Sequence, residues 1–171
     1  LDIAREVLEG SDVKIGTVVG FPSGAHTTFS KVAEAIDAYA RGAVELDMVI
    51  DIGALRNGEY DDVYNDIKAV VDATPAVVKV ILENCYLTKE QIVKGCQLCE
   101  KAGADFVKTS TGFAEGGATV EDIKLMRESV SEKVHVKAAG GIHSKEDVEA
   151  LVAAGADRVG VSRTQAIAAE F

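Results

Sequence analysis

The sequence predicts an α/β protein built on a parallel sheet, and three observations carry that prediction. Helical and strand-like patterns alternate without interruption along all 171 residues. The phrases ARGAVELD, EKAGADFV and VAAGADRV each end a helix with glycine and enter a strand through alanine, so one joint is used three times. Polar residues recur at the ends of most strand-like runs, as they do where all βα loops open on one mouth.

Taken in order, the chain opens in mid-helix on Leu1 (1–9) and enters the run DVKIGTVVG at 13–20. The loop GFPSGAHTT leads to a helix at 28–41, and ARGAVELD leads from that helix into a strand at 44–50. A helix at 60–73 precedes the run AVVKVILE, with its strand at 77–83. Thr88 with Gln91 forms a capping box that starts the helix at 88–102, and EKAGADFV passes into a strand at 105–110. A helix at 119–130 comes next, followed by VHVKAAGG with a strand at 134–138. Ser144 with Asp147 approximates a second capping box for the helix at 144–154; VAAGADRV then gives a strand at 157–161 and a last helix starts near 164.

Six such strands suit a doubly wound sheet or part of a (β/α)8 TIM barrel. The glycine fingerprint of a dinucleotide fold is missing after the first strand, and the polar strand ends favour the barrel. A barrel needs eight strands and typically about 250 residues. The expectation is therefore a partial (β/α)8 barrel, one domain over 1–171, with the first one to two βα units (roughly 50 residues at this repeat length) outside this chain.

Composition agrees with one domain: 47% of residues are apolar, there are two prolines, and no low-complexity tract suggests a linker. A net charge of −10 argues against nucleic acid or an anionic membrane as partner. No apolar run approaches the roughly 18 residues of a membrane span, and no signal-peptide pattern opens the chain. The expected setting is cytoplasmic. Cys96 and Cys99 are spaced C-x-x-C, but inside a helical pattern rather than at a helix start, and no second pair exists to hold zinc. With Cys85, they read as reduced packing cysteines.

Four lysines interrupt strand-like runs: Lys14, Lys79, Lys108 and Lys137. In a barrel of this kind, chemistry sits at the C-terminal strand ends and the opposite ends serve stability. Lys14 and Lys79 precede most of their apolar runs and are expected to snorkel to the stable end. Lys108 lies close to the loop that begins at Gly112, and Lys137 close to Gly140 and Gly141, on sequence-adjacent strands. Two ammonium groups about 6 Å apart repel by roughly 3 kcal/mol at an effective dielectric near 20, about two pKa units. A lysine so perturbed is partly neutral at pH 7 and can attack a carbonyl to form an imine. In VELDMVID, Glu45, Asp47 and Asp51 alternate with apolar residues; Asp47, in mid-strand, is the candidate proton relay beside the lysines. The segments STGFAEGGAT, AAGGIHS and GVSR place glycines and bare amides after the last three strands, a pattern suited to holding a phosphate. His26 and His135 read as a loop residue and a stability-side strand residue, and His143 as an exposed loop residue.

In order and spacing, GFPSGAHTT, ELDMVIDIGALRNGEY, KVILENCYLT, FVKTSTGF, GGATVEDIKLM and VKAAGGI resemble the deoxyribose-phosphate aldolases. The resemblance implies a (β/α)8 barrel that reversibly cleaves 2-deoxy-D-ribose 5-phosphate to D-glyceraldehyde 3-phosphate and acetaldehyde. It implies no metal or organic cofactor, a sugar phosphate as the small-molecule partner, and a role in deoxyribose phosphate catabolism, with a homo-oligomer possible. Lys108 matches the family's imine-forming lysine, Lys137 the second lysine that lowers its pKa, and Asp47 the relay aspartate. Gly112, Gly140, Gly141, Gly160 and Ser162 match its phosphate-binding turns. Departures fall at Asn84 (Thr expected), Asp51 (Asn), Ala139 (Ser), His143 (Arg) and Arg163 (Ser), the last two bearing on phosphate contacts. The alternatives are another imine-forming barrel aldolase and a non-catalytic sugar-phosphate-binding remnant.

Overall fold

The alternation is realised, in a computed structural model that describes residues 1–171, as fourteen regular elements. They are α1 (Asp2–Val7), β1 (Gly16–Val19), α2 (Thr28–Ala40), β2 (Glu45–Val49), α3 (Ile52–Asn57), α4 (Tyr60–Ala73) and β3 (Val77–Ile81), then α5 (Lys89–Ala102), β4 (Phe106–Lys108), α6 (Val120–Glu128), β5 (His135–Ala139), α7 (Lys145–Ala153), β6 (Arg158–Gly160) and α8 (Thr164–Ala168). A single 3-10 turn, Asn84–Tyr86, follows β3. The strands form one parallel sheet in sequence order, β1 to β6.

The sheet is curled, and two ion pairs show by how much. Arg158 on β6 reaches Glu45 on β2 at 2.6 Å, and Lys137 on β5 reaches Asp47 on β2 at 2.7 Å. On a flat sheet β2 and β6 would lie about 19 Å apart, beyond the joint reach of these side chains. Alternation along each strand then divides the residues between two faces. Leu46, Met48, Val78, Val80, Val107, Val136 and Ala138 point to the convex face, where they form the core with helix residues such as Leu55, Ile67, Cys96 and Ile123. Burying each aliphatic of this size contributes roughly 1.5–3 kcal/mol. Glu45, Asp47, Lys79, Lys108 and Lys137 occupy the other parity and share the concave face. The fold is thus a half-barrel with a dry outside wall and a charged inside.

Capping follows the sequence. Thr88 and Ser144 each form a complete capping box, with Gln91 and Asp147, and Gly103 closes α5 in the left-handed conformation. Two features depart from expectation. The strands are shorter than the apolar runs, most markedly β1, which starts at Gly16, so that Lys14 precedes it and is exposed. Helix α3 was not anticipated; Asp51, read with the acidic face of β2, instead caps it by accepting from Ala54 N at 2.9 Å.

Behind β2, the convex side holds a second buried charge. Lys31 of α2, fully enclosed, donates to Asp66 of α4 at 2.6 Å and to the Val49 carbonyl at 3.1 Å, and Asp66 also accepts from Thr28. Cys96 and Cys99 are buried and unpaired as expected, with burial pushing the Cys96 thiol up to about 12. Cys85 is exposed, contrary to its reading as a packing residue, because it sits in the 3-10 turn after β3.

Candidate active site

The site is assembled by strand register. Lys108 and Lys137 are direct partners across β4 and β5, and Asp47 and Lys79 are direct partners across β2 and β3. Partners in a parallel pair share a face, so the curl brings all four side chains together inside the barrel. Asp47 Oδ2 accepts from Lys108 Nζ and from Lys137 Nζ, each at 2.7 Å, while Asp47 Oδ1 accepts from Lys79 Nζ at 2.9 Å. The two upper ammonium groups therefore lie within twice that distance of each other. Below them, Lys79 also meets Glu45 at 2.7 Å, and Glu45 meets Arg158.

Electrostatics follow from this crowding. Burial alone would raise the Asp47 pKa, but Lys108 and Lys137 outweigh it and hold the carboxyl well below the usual range. Lys137 is shifted the other way: burial, then the charges of Lys108 and Lys79, lower its pKa against the opposing hydrogen bond to Asp47. Burial likewise works against ionised Glu45, and Lys79 and Arg158 overcome it. One carboxylate oxygen shared by two amines, one of which releases its proton readily, suits a carbonyl-attacking amine with a proton acceptor at hand.

Lateral bonds fix the strand ends that carry these lysines. Thr109 N donates to the Lys137 carbonyl at 3.1 Å, and the Thr109 hydroxyl bridges the Ala139 carbonyl and amide at 3.0 Å each. Glu83, buried at the end of β3 with φ of 56°, accepts from both the amide and the hydroxyl of Thr111.

Above Lys108 opens a cleft of about 510 Å³ walled by Thr111, Gly112, Phe113, Ala139–His143, Gly160, Val161 and Ser162. Lys108 and His143 are its titratable side chains. Glycine is required at Gly140, whose φ is 82° and where a Cβ would stand 3.1 Å from the Gly117 backbone. Ala118 N donates to the Gly140 carbonyl at 3.0 Å, so the β4–α6 and β5–α7 loops are stitched together. A larger hollow of about 590 Å³, between α1 and the chain before β1, holds no lysine.

Sequence reading and structure agree on most placements. Lys108, Gly112, Gly140, Gly141, Gly160 and Ser162 line one cleft, and Asp47 and Lys137 sit directly at the Lys108 ammonium. His143 is in the cleft wall, whereas Arg163 lines a shallow cavity with residues of α8 instead. Lys79 is the principal correction. It does not snorkel; it is 1% exposed and belongs to the Asp47 cluster. Arg158, which pairs with Glu45, and the Glu83–Thr111 clasp were also missed. Parity would have found Lys79, because it shares the interior face with Asp47; the contact between positions 45 and 158 has no local signal.

The DeoC/LacD family aldolase model matches residues 2–165. The chain is 54% identical to a deoxyribose-phosphate aldolase of Thermoanaerobacter pseudethanolicus over 175 aligned positions, covering all of this chain and 78% of that protein. Among solved structures it is similar to a putative deoxyribose-phosphate aldolase from Coccidioides immitis, with a TM-score of 0.96 at 44% identity over 99% of this chain and 68% of the other. It is also similar to the tetrameric deoxyribose phosphate aldolase of Aeropyrum pernix, with a TM-score of 0.88 at 32% identity over 97% and 71%.

Proposed function

This chain belongs to the DeoC/LacD family of aldolases, and we propose that it reversibly cleaves 2-deoxy-D-ribose 5-phosphate to D-glyceraldehyde 3-phosphate and acetaldehyde through an imine on Lys108. The observation that carries this reading is the single Asp47 oxygen shared at 2.7 Å by Lys108 and Lys137, at the floor of a glycine-walled cleft.

In the cleavage direction, neutral Lys108 Nζ adds to the aldehyde carbon of the open-chain sugar, and loss of water leaves a protonated imine. A base removes the proton of the C3 hydroxyl; the C2–C3 bonding electrons move into the imine, giving an enamine and free glyceraldehyde 3-phosphate. Protonation of the enamine carbon and addition of water to the imine release acetaldehyde and restore the amine. Asp47 and Lys137 are the groups placed to take and return these protons. Lys137, whose pKa is lowered by burial and by the neighbouring ammonium groups, exchanges its proton readily through the Asp47 oxygen it shares with Lys108. The phosphate is assigned to the amides and hydroxyl of Gly112, Gly140, Gly141, Gly160 and Ser162, where main-chain donors hold an anion without a dedicated arginine. A local site of this kind is needed against the net charge of −10.

The curled sheet supports reading the fold as a (β/α)8 barrel, and the tetrameric relative supports a homo-oligomer. No helix is long and apolar enough to cross a membrane, and a cytoplasmic enzyme of deoxyribose phosphate catabolism remains the reading.

Trapping tests the chemistry. Acetaldehyde followed by borohydride should leave a two-carbon adduct that peptide mapping places on Lys108. An adduct elsewhere, or none, sinks the assignment.

A further inference from the structure

Lys79 takes no part in the steps above, yet it is the most enclosed cation of the cluster and touches both interior carboxylates. We propose that Lys79 is a positioning residue for the aldol chemistry: from beneath, it claims Asp47 Oδ1 so that Oδ2 alone serves Lys108 and Lys137, and it keeps a fixed positive charge under that pair.

The geometry argues this in two ways. A carboxylate offers two oxygens, and two lysines left alone with it could each take one and settle into separate ion pairs. Lys79 at 2.9 Å on Oδ1 removes that option, so the two upper amines share Oδ2. A proton lost from either amine then leaves Asp47 still held by the other two, and the carboxylate need not turn during the reaction.

Charge balance is the second line. Into this interior face Glu45 and Asp47 from β2, Lys79 from β3, Lys108 from β4, Lys137 from β5 and Arg158 from β6. Lys14, before β1, lines the same hollow, where β1 itself brings Gly16, Thr17 and Val18 and no charge. His135, at the foot of β5, faces Asp157 instead. Three enclosed cations, Lys79, Lys108 and Lys137, and two exposed ones at the rim, Lys14 and Arg158, meet two carboxylates. Arg158 offsets Glu45, which leaves the charge of Lys79 uncancelled beneath the catalytic pair. Excess positive charge favours a neutral amine above it, and the Lys79 charge is among the causes that lower the Lys137 pKa.

The proposal rests on the imine reading, and its test separates the two. The pH dependence of kcat/KM, the KM for the sugar phosphate and borohydride trapping with acetaldehyde are measured for the parent, Lys79→Met, Lys79→Arg and Glu45→Gln. Parent and Lys79→Met should both be trapped at Lys108. Lys79→Met should move the acid limb of the profile up by about one pH unit and lower the rate near pH 7 by roughly tenfold, with KM changed by less than about threefold. Lys79→Arg, which keeps the charge, should hold the limb near its parental position. Glu45→Gln should move it the opposite way. Should Lys79→Met not fold, Glu45→Gln decides, and an acid limb unmoved there overturns the proposal. So does a Lys79→Met profile superimposable on the parent's, with activity falling only as the folded fraction falls. A parent that forms no Lys108 adduct overturns the imine reading and this role with it.

Discussion

Two buried lysine–aspartate sites lie on opposite faces of β2, and they are built differently. On the convex side, Lys31 meets one carboxylate, Asp66, and one carbonyl, that of Val49. Charge is balanced there, and each partner is held by a second bond, because Thr28 also donates to Asp66. On the concave side, three ammonium groups converge on Asp47. A buried pair with one partner each is a fastening. A carboxylate shared by several amines can pass a proton while remaining bound, which is a property of reactive sites. Burial and residue type are alike in the two cases; stoichiometry distinguishes them.

Substitutions can break this contrast. Lys108→Arg keeps a cation on Asp47 but removes the nucleophile, so aldol activity should fall on the order of 10⁴-fold or more while the urea midpoint scarcely moves. Asp66→Asn should do the reverse. It strands Lys31 and should cost about 3–5 kcal/mol in urea unfolding, with the specific activity of the folded fraction kept within about threefold. The double change Lys31→Met with Asp66→Leu should recover most of that loss, whereas no apolar pair can restore the other site.

Titration sharpens the contrast further. Lys137→Leu removes a neighbouring charge from Lys108, and the rate near pH 7 should drop by roughly tenfold, recovering in part under alkaline conditions. An unchanged pH profile would contradict the tuning role. Because Asp47 is depressed in the folded state, its contribution to stability is present above the unfolded carboxylate value of about 3.9 and lost as pH falls through the folded value. Lys137 is lowered on folding, so between its folded value and about 10.4 the unfolded chain holds more protons and stability rises with pH. Urea midpoints across pH should show that alkaline rise in the parent and lose it in Lys137→Leu.

The smallest effect concerns a buried group that neither site explains. Asn84 Oδ1 has no hydrogen-bond partner, and its amide nitrogen meets only the Met126 sulfur. Asn84→Thr should raise stability by about 1 kcal/mol, read as a higher Tm, with kinetics unchanged.

What the sequence revealed, and what it concealed, follow the range of the interactions involved. The βα joints, the Thr88 and Ser144 caps and the adjacency of Lys108 and Lys137 all arise between near neighbours or consecutive strands, and each was legible. Helix α3 was hidden because Asp51 continued the acid–apolar alternation of β2 before turning to cap Ala54. Lys79 lies early in its strand, which suggests the stable end, but its register opposite Asp47 turns it inward. Arg158 and Glu45 are joined by the curl of the sheet, which no short segment encodes. Lys31 is an interior cation on an amphipathic helix, and nothing within α2 distinguishes it from a solvated lysine; its partner lies 35 residues away.

Phe113 stands between the cleft above Lys108 and a smaller hollow of about 330 Å³ that also reaches Pro22, Ser23, Ile52, Glu83 and Tyr86. Its ring is largely exposed and leans edge-on against Phe21 at 5.4 Å. The opposite wall includes Gly140, Gly141 and Gly160, and at Gly140 an added Cβ would stand 3.1 Å from the Gly117 backbone. For anyone reshaping this enzyme toward bulkier aldehydes, the adjustable wall is therefore the aromatic one. Trimming Phe113 would merge the two chambers, leaving the main-chain cradle and the three-lysine carboxylate as they are.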